Sequence, residues 1–183
     1  MISTHPDIER ILIDEATIQR RVQELAAQIT GDYAGVDELL LVGILKGAFI
    51  FLADISRRLE IPHVVDFMAL SAYGASAAAT GAVRIIMDLR QAIEGKHVMI
   101  VEDIVDTGLT LDYLYKTLES RRPASLRSCV LLDKTSRRKV DVPINYLGFQ
   151  IPDVWVVGYG LDYADRHRTL PYIGVLRPEV YSD

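Results

Sequence analysis

The chain is poor in the residues that build covalent or metal-held frameworks. With one cysteine in 183 residues it can form neither an internal disulfide nor a multi-cysteine zinc site, and it suits a reducing compartment. Cys129 lies in the apolar run Ser128-Cys129-Val130-Leu131-Leu132, where a small buried hydrophobe is the plain reading. No stretch reaches the ~18 consecutive apolar residues that span a bilayer. The start, Met1-Ile2-Ser3-Thr4-His5-Pro6-Asp7, has neither the charged opening nor the apolar core of a secretion signal. A cytoplasmic protein with no membrane partner is expected. Positive charge is also short. At a formal charge of −5 the chain has no general attraction for a polyanion, so nucleic acid is not an expected partner. A small anion is still accessible, because a few Lys and Arg, backbone N–H groups and a metal ion suffice to hold one.

What the sequence does have is apolar patterning, with 50% hydrophobic residues, enough for one sizeable core. Residues 17–29 carry Ile18, Val22, Leu25, Ala26 and Ile29 at helical spacing, with Gly31 as a stop. Residues 39–45 are short and uniformly apolar, which predicts a strand buried on both faces. Lys46-Gly47 interrupts it, and Phe51, Leu52, Ile55 and Leu59 return to helical spacing. Residues 63–70 read as a strand. The small-residue run 71–81 has nothing to bury and is expected to be a mobile loop, and residues 83–88 resume extended structure. A further apolar strand, residues 98–101, is expected to end at Glu102-Asp103. A helix from about residue 109 to 120 follows, then a strand over 127–132. This alternation predicts an α/β fold with a doubly wound, mainly parallel sheet, whose ligands bind beyond the carboxyl ends of the strands. One domain is expected, with its core over about residues 36–142 and a small cap from about 143–183 plus N-terminal residues.

The informative stretch is Val101-Glu102-Asp103-Ile104-Val105-Asp106-Thr107-Gly108-Leu109-Thr110, where an apolar strand delivers adjacent carboxylates into a turn that opens a helix. Thr107, Gly108 and Thr110 stand where backbone N–H groups and hydroxyls can grip a phosphate monoester. Glu102 and Asp103 offer the hard oxygens that Mg²⁺ prefers. Asp106 could turn back over the site as a proton acceptor. An acidic pair by itself is usually a solvated loop feature, and Asp106 or Thr107 could be no more than an N-cap. The preceding strand and the Thr-Gly-x-Thr turn are what lift the motif above that reading.

Strand, acidic pair and Thr-Gly turn together resemble the type I phosphoribosyltransferases, and residues 101–110 resemble their hypoxanthine-guanine branch. The resemblance implies a magnesium-dependent enzyme of purine salvage whose partners are phosphoribosyl pyrophosphate and a 6-oxopurine base, working as a homodimer or homotetramer. It assigns Asp106 to N7 of the purine and Glu102 and Asp103 to catalysis and the metal, with Asp162 helping to bind a second magnesium. Leu45-Lys46-Gly47 matches the pyrophosphate loop and Thr107 to Thr110, Leu109 included, the phosphate turn. Lys134, a donor only, matches the lysine that reads the exocyclic oxygen. Trp155 and Val156 match the cap segment that stacks on the base and reads its edge, and Arg168 the arginine that pairs with pyrophosphate. Tyr73 matches a loop that closes over the reaction, although Ala72 stands where relatives usually carry serine. A nucleotide-sensing RNA-binding regulator of the same fold is the competing reading. It would need a basic face, and the only basic run spans Lys134 to Lys139.

Overall fold

The computed structural model of the chain describes residues 5–72 and 83–182. Tyr73 and most of the expected mobile loop lie outside the described residues. Strand β1 (Ile8–Ile13) leads into α1 (Glu15–Asp32), β2 (Leu39–Leu45), α2 (Phe49–Ser56), β3 (His63–Ala72), β4 (Val83–Met87) and β5 (His97–Val105). Then follow α3 (Leu109–Glu119), β6 (Ser125–Asp133), a 3-10 turn (Thr135–Arg137), β7 (Tyr146–Gln150), β8 (Val156–Val157), β9 (Ile173–Leu176) and α4 (Pro178–Tyr181). Asp14 caps α1 by accepting the Thr17 N–H at 2.7 Å. The helix runs through Gly31 instead of stopping there, and the buried Tyr33 closes it.

Six strands form the main sheet in the order β4-β3-β2-β5-β6-β7. All neighbours are parallel except β3 and β4, as the doubly wound reading required. The sheet is covered on both faces because β2 and β5 alternate within wholly apolar runs. Leu39, Leu41, Met99 and Val101 pack with Ile18, Val22, Leu25 and Phe51 from α1 and α2. Leu40, Val42, Val98 and Ile100 pack with Leu111, Leu114 and Leu118 from α3. Cys129 is fully buried in the first cluster.

Two boundaries differ from the sequence expectation. The strand carrying the acidic pair does not end at Glu102-Asp103. It continues to Val105, because β6 still pairs with it there, Ile104 opposite Leu132 and Val105 opposite Asp133. Tyr146–Gln150 was expected in the cap, but it is the edge strand of the main sheet, paired with β6 from Cys129 to Asp133. A second sheet has the order β1-β9-β8, in which the N-terminal β1 pairs antiparallel with β9. Arg177 N–H donates to the Asp7 carbonyl at 2.9 Å, and His167 Nε2 lies 3.1 Å from Asp7, which fastens the N-terminal segment to the cap loop. No helix among the described residues is long and apolar enough to cross a membrane.

Candidate functional site

The site opens where two parallel strands part. Pairing of β2 with β5 ends at Gly43 and Val101, so the next residues of both strands line a cleft at the carboxyl end of the sheet. On the β2 side stands the Leu45–Lys46 peptide, which is cis, followed by Gly47. On the β5 side stand Glu102 and Asp103. Glu102 lines a cavity of about 80 Å³ shared with Asp106, Thr107, Gly108 and Thr110, whereas the Asp103 carboxylate lies directly against Gly47, where any Cβ would overlap it. Gly47 is therefore a close-approach glycine.

Both acidic side chains are poorly solvated. Glu102 is 8% exposed, and its Oε2 has no hydrogen-bond partner. Burial, and next the charge of Asp103, raise its carboxyl well above the usual carboxylate range. Burial also pushes Asp103 up to about 6, against the lowering effect of the Ile104 N–H. Adjacent buried carboxylates with an unmatched oxygen are a donor set suited to a hard divalent cation such as magnesium. The residues present thus fit the ion that the acidic motif suggested.

Gly108, at φ +87°, begins α3, a conformation that glycine adopts without a steric penalty. The N–H groups of Lys139 and Val140 donate to the Thr107 carbonyl at 2.9 and 3.2 Å, and the Lys134 N–H donates to the Val105 carbonyl at 2.9 Å. These bonds fold the segment after β6 over the turn after β5. They bring Lys134 and Asp106 to one cavity of about 300 Å³, whose lining includes Trp155, Asp153 and Arg137. Lys134 is only 8% exposed and donates to Asp153 at 3.4 Å. Arg137 pairs with Asp106 at 2.7 Å and with Asp153 at 3.4 Å. Trp155 is 52% exposed, edge-on to Tyr163 at 5.9 Å and tilted over Tyr181 at 5.6 Å, which holds a flat face at the cavity. Val156 plays a different part from its neighbour. Its side chain is buried in the cap, where it pairs with Val175, so only its backbone is left to meet a ligand.

The cap loop closes the third side. Gly160 packs on the Gly47 carbonyl, which sets the loop beside Lys46. Arg168 donates to the Gly160 carbonyl at 2.9 Å, reaches Asp162 at 2.8 Å and Asp165 at 3.0 Å. Lys46 reaches the same Asp165 oxygen at 2.8 Å. Asp162, expected to serve a second magnesium, stands apart from the acidic pair: among the described residues the three carboxylates do not form one ligand cluster. The link is indirect, through Arg168, whose charge acts on Asp103.

Sequence reasoning missed Asp153, Arg137 and Asp165. Asp153 sits two residues before Trp155 and Asp165 three before Arg168, but each looks like an ordinary loop carboxylate. Arg137 was one of several cations in a basic run.

Comparisons with known proteins agree with this geometry. The family model for the phosphoribosyl transferase domain matches residues 11–164. A hypoxanthine-guanine phosphoribosyltransferase of Dictyostelium discoideum is 49% identical over 94% of this chain and 97% of that protein. A hypoxanthine phosphoribosyltransferase of Salmonella typhimurium is 52% identical over 90% of this chain and 93% of that protein. The solved structure of the Trypanosoma cruzi hypoxanthine phosphoribosyltransferase in complex with the product IMP superposes with a TM-score of 0.92 at 46% identity, covering 98% of this chain and 100% of that one. By its fold, its matched length and its relatives, the chain belongs to the phosphoribosyltransferase family, in the hypoxanthine-guanine branch.

Proposed function

We propose that the chain transfers the 5-phosphoribosyl group of phosphoribosyl pyrophosphate to hypoxanthine or guanine, giving IMP or GMP and pyrophosphate, as a step of purine salvage. The observation that carries this reading is that Asp106 lines both cavities, the phosphate-sized one beside Gly108 and the larger one beside Lys134 and Trp155. A nucleotide has its base and its phosphate on either side of a ribose, and Asp106 stands between the two regions.

In the reaction a purine nitrogen forms a bond to C1 of the ribose as the C1–oxygen bond to pyrophosphate breaks. Positive charge grows on the sugar. Glu102 and Asp103 favour that charge electrostatically, most strongly in a cleft with little water. Glu102 and Asp103 would hold one magnesium ion and Asp162 would help to hold a second, and the metal would supply charge neutralisation for the departing pyrophosphate. Lys46 and Arg168 hold the pyrophosphate oxygens, while Thr107, Gly108, Leu109 and Thr110 hold the 5-phosphate at the start of α3. Asp106 takes or orients the proton at N7, which makes the ring more nucleophilic. Lys134 donates to the exocyclic oxygen and so selects oxopurines over adenine. Trp155 stacks on the base.

We further assign a cytoplasmic homo-oligomer. The buried, unpaired Cys129 suits a reducing compartment. Exposed Phe49, Val64, Val65, Ile86 and Met87 offer apolar surface, and Phe49 lies just beyond the Lys46 loop. Light scattering in solution would give the copy number.

The test is magnesium- and phosphoribosyl pyrophosphate-dependent nucleotide formation with hypoxanthine, guanine, xanthine, adenine and uracil, beside Asp106→Asn and Lys134→Ala. Activity confined to oxopurines, about 100-fold lower in Asp106→Asn, supports the assignment. Folded protein with no activity on any purine would overturn it and bring the RNA-binding regulator forward.

A further inference from the structure

The two cations assigned to pyrophosphate are not free in the described structure. Lys46 and Arg168 converge on one atom, Asp165 Oδ1, at 2.8 and 3.0 Å. The contact joins distant parts of the chain, since Lys46 follows β2 and Asp165 lies in the cap loop. Asp165 is itself held in place. Its N–H donates to Asp162 Oδ2 at 2.8 Å, and its φ of +60° belongs to a turn bridged by Tyr163 and Arg166. The two cations hold its carboxyl below the usual carboxylate range, Lys46 contributing most.

We propose that Asp165 is a positioning residue that serves as an internal counter-anion for the pyrophosphate subsite. Its carboxylate occupies Lys46 and Arg168 in the free protein and is exchanged for phosphate oxygens when pyrophosphate or phosphoribosyl pyrophosphate binds. This rests on the assignment of Lys46 and Arg168 to pyrophosphate. A carboxylate offers the same pair-forming oxygens as a phosphate but carries less charge. The pair is also open to water, with the side chains of Lys46 and Asp165 67% and 69% exposed, so the exchange meets little resistance. Two consequences follow for the reaction. Asp165 keeps the long side chain of Lys46 at the mouth of the cleft before substrate arrives, and it competes with pyrophosphate for both cations, which speeds release of that product.

Titration of magnesium pyrophosphate by calorimetry into wild type, Asp165→Asn, Lys46→Ala, Arg168→Ala and the Asp165→Asn/Lys46→Ala double variant tests this, alongside KM and kcat for phosphoribosyl pyrophosphate. Asparagine tolerates the left-handed backbone, and Asp165→Gly provides a second variant should the first fold poorly. Removing the competing carboxylate should tighten pyrophosphate binding about 3–10-fold and lower KM and kcat together. The gain should shrink in the Lys46→Ala background. A role in loop structure alone would weaken binding in both Asp165 variants and leave the Lys46 background without effect on the change. If the Asp165 variants bind no more tightly while Lys46→Ala weakens binding, the counter-anion inference is wrong and the subsite assignment stands. If neither Lys46→Ala nor Arg168→Ala changes pyrophosphate affinity, the subsite assignment fails and the inference with it.

Discussion

Asp103→Asn should make the metal-free protein more stable at neutral pH while abolishing most of its activity. Burial raises the Asp103 carboxyl from 3.8 to about 6 in the folded chain, so the folded state binds this proton more tightly than the unfolded state does. The stability attached to it is therefore complete below about pH 4 and is lost as pH rises through about 6. At ~1.36 kcal/mol for each tenfold change in proton affinity, the loss approaches about 3 kcal/mol at pH 8. Asparagine has no charge to desolvate, and it also removes the second-largest cause of the raised Glu102 carboxyl. Urea unfolding of both proteins from pH 4 to 8 in the presence of a chelator measures the difference, and acid effects shared by the two cancel. The gap should be small at pH 4 and should open to about 2–3 kcal/mol in favour of the variant by pH 8. Added magnesium should then stabilise wild type more than the variant, because binding to the folded state alone raises stability by mass action. Parallel pH curves, or a variant less stable than wild type at pH 8 without metal, would refute this account of the acidic pair.

Trp155→Ala should cost less than about 1 kcal/mol of stability, since the ring is 52% exposed, while raising the KM for base about tenfold. As the protein's one tryptophan, Trp155 should also report IMP binding through its fluorescence in wild type. Gly47→Ala would drive a methyl group into the Asp103 carboxylate, so a loss of kcat/KM above about 100-fold is expected from a shift of the acidic pair, read by steady-state kinetics. Cys129 is fully buried, and burial raises its thiol far above the usual range. It should resist thiol reagents in the folded protein and react only at the rate of unfolding, which a labelling time course in urea would follow.

The long elements were legible because their burial leaves a period in the sequence. Ile18, Val22, Leu25 and Ile29 mark α1, and the unbroken apolar runs of β2 and β5 mark strands covered on both faces. The place of the cleft followed from position, since Lys46 and Lys134 come directly after strand ends and the acidic pair lies just past the point where β5 parts from β2. What escaped was held by partners far away in the chain. Strand β1 has the burial order buried, three exposed, one intermediate, buried, which matches neither helix nor alternating strand. Its bulged pairing with β9, nearly the whole chain away, is what makes it extended. Strand β7 was misplaced for a related reason. As an edge strand it is half-buried, with only Tyr146 fully covered, so its composition resembles that of the cap.

Asp153, Arg137 and Asp165 belong to a subtler class, and they bear on how an acidic protein takes an anionic substrate. Each cation assigned to a ligand already touches a carboxylate: Lys46 and Arg168 meet Asp165, and Lys134 meets Asp153. Asp106, assigned to the base, is met by Arg137. At the pyrophosphate end of the cleft the assigned cations are thus already matched by a carboxylate, and on the counter-anion proposal pyrophosphate exchanges those ion pairs for its own instead of meeting bare cations. Exchange of this kind lowers affinity, because each internal pair must be broken, but it keeps long side chains near their working positions. It also accounts for a net charge of −5 coexisting with a site for pyrophosphate. The carboxylates that contribute to that charge hold the cations until the substrate, with more charge per oxygen cluster, displaces them.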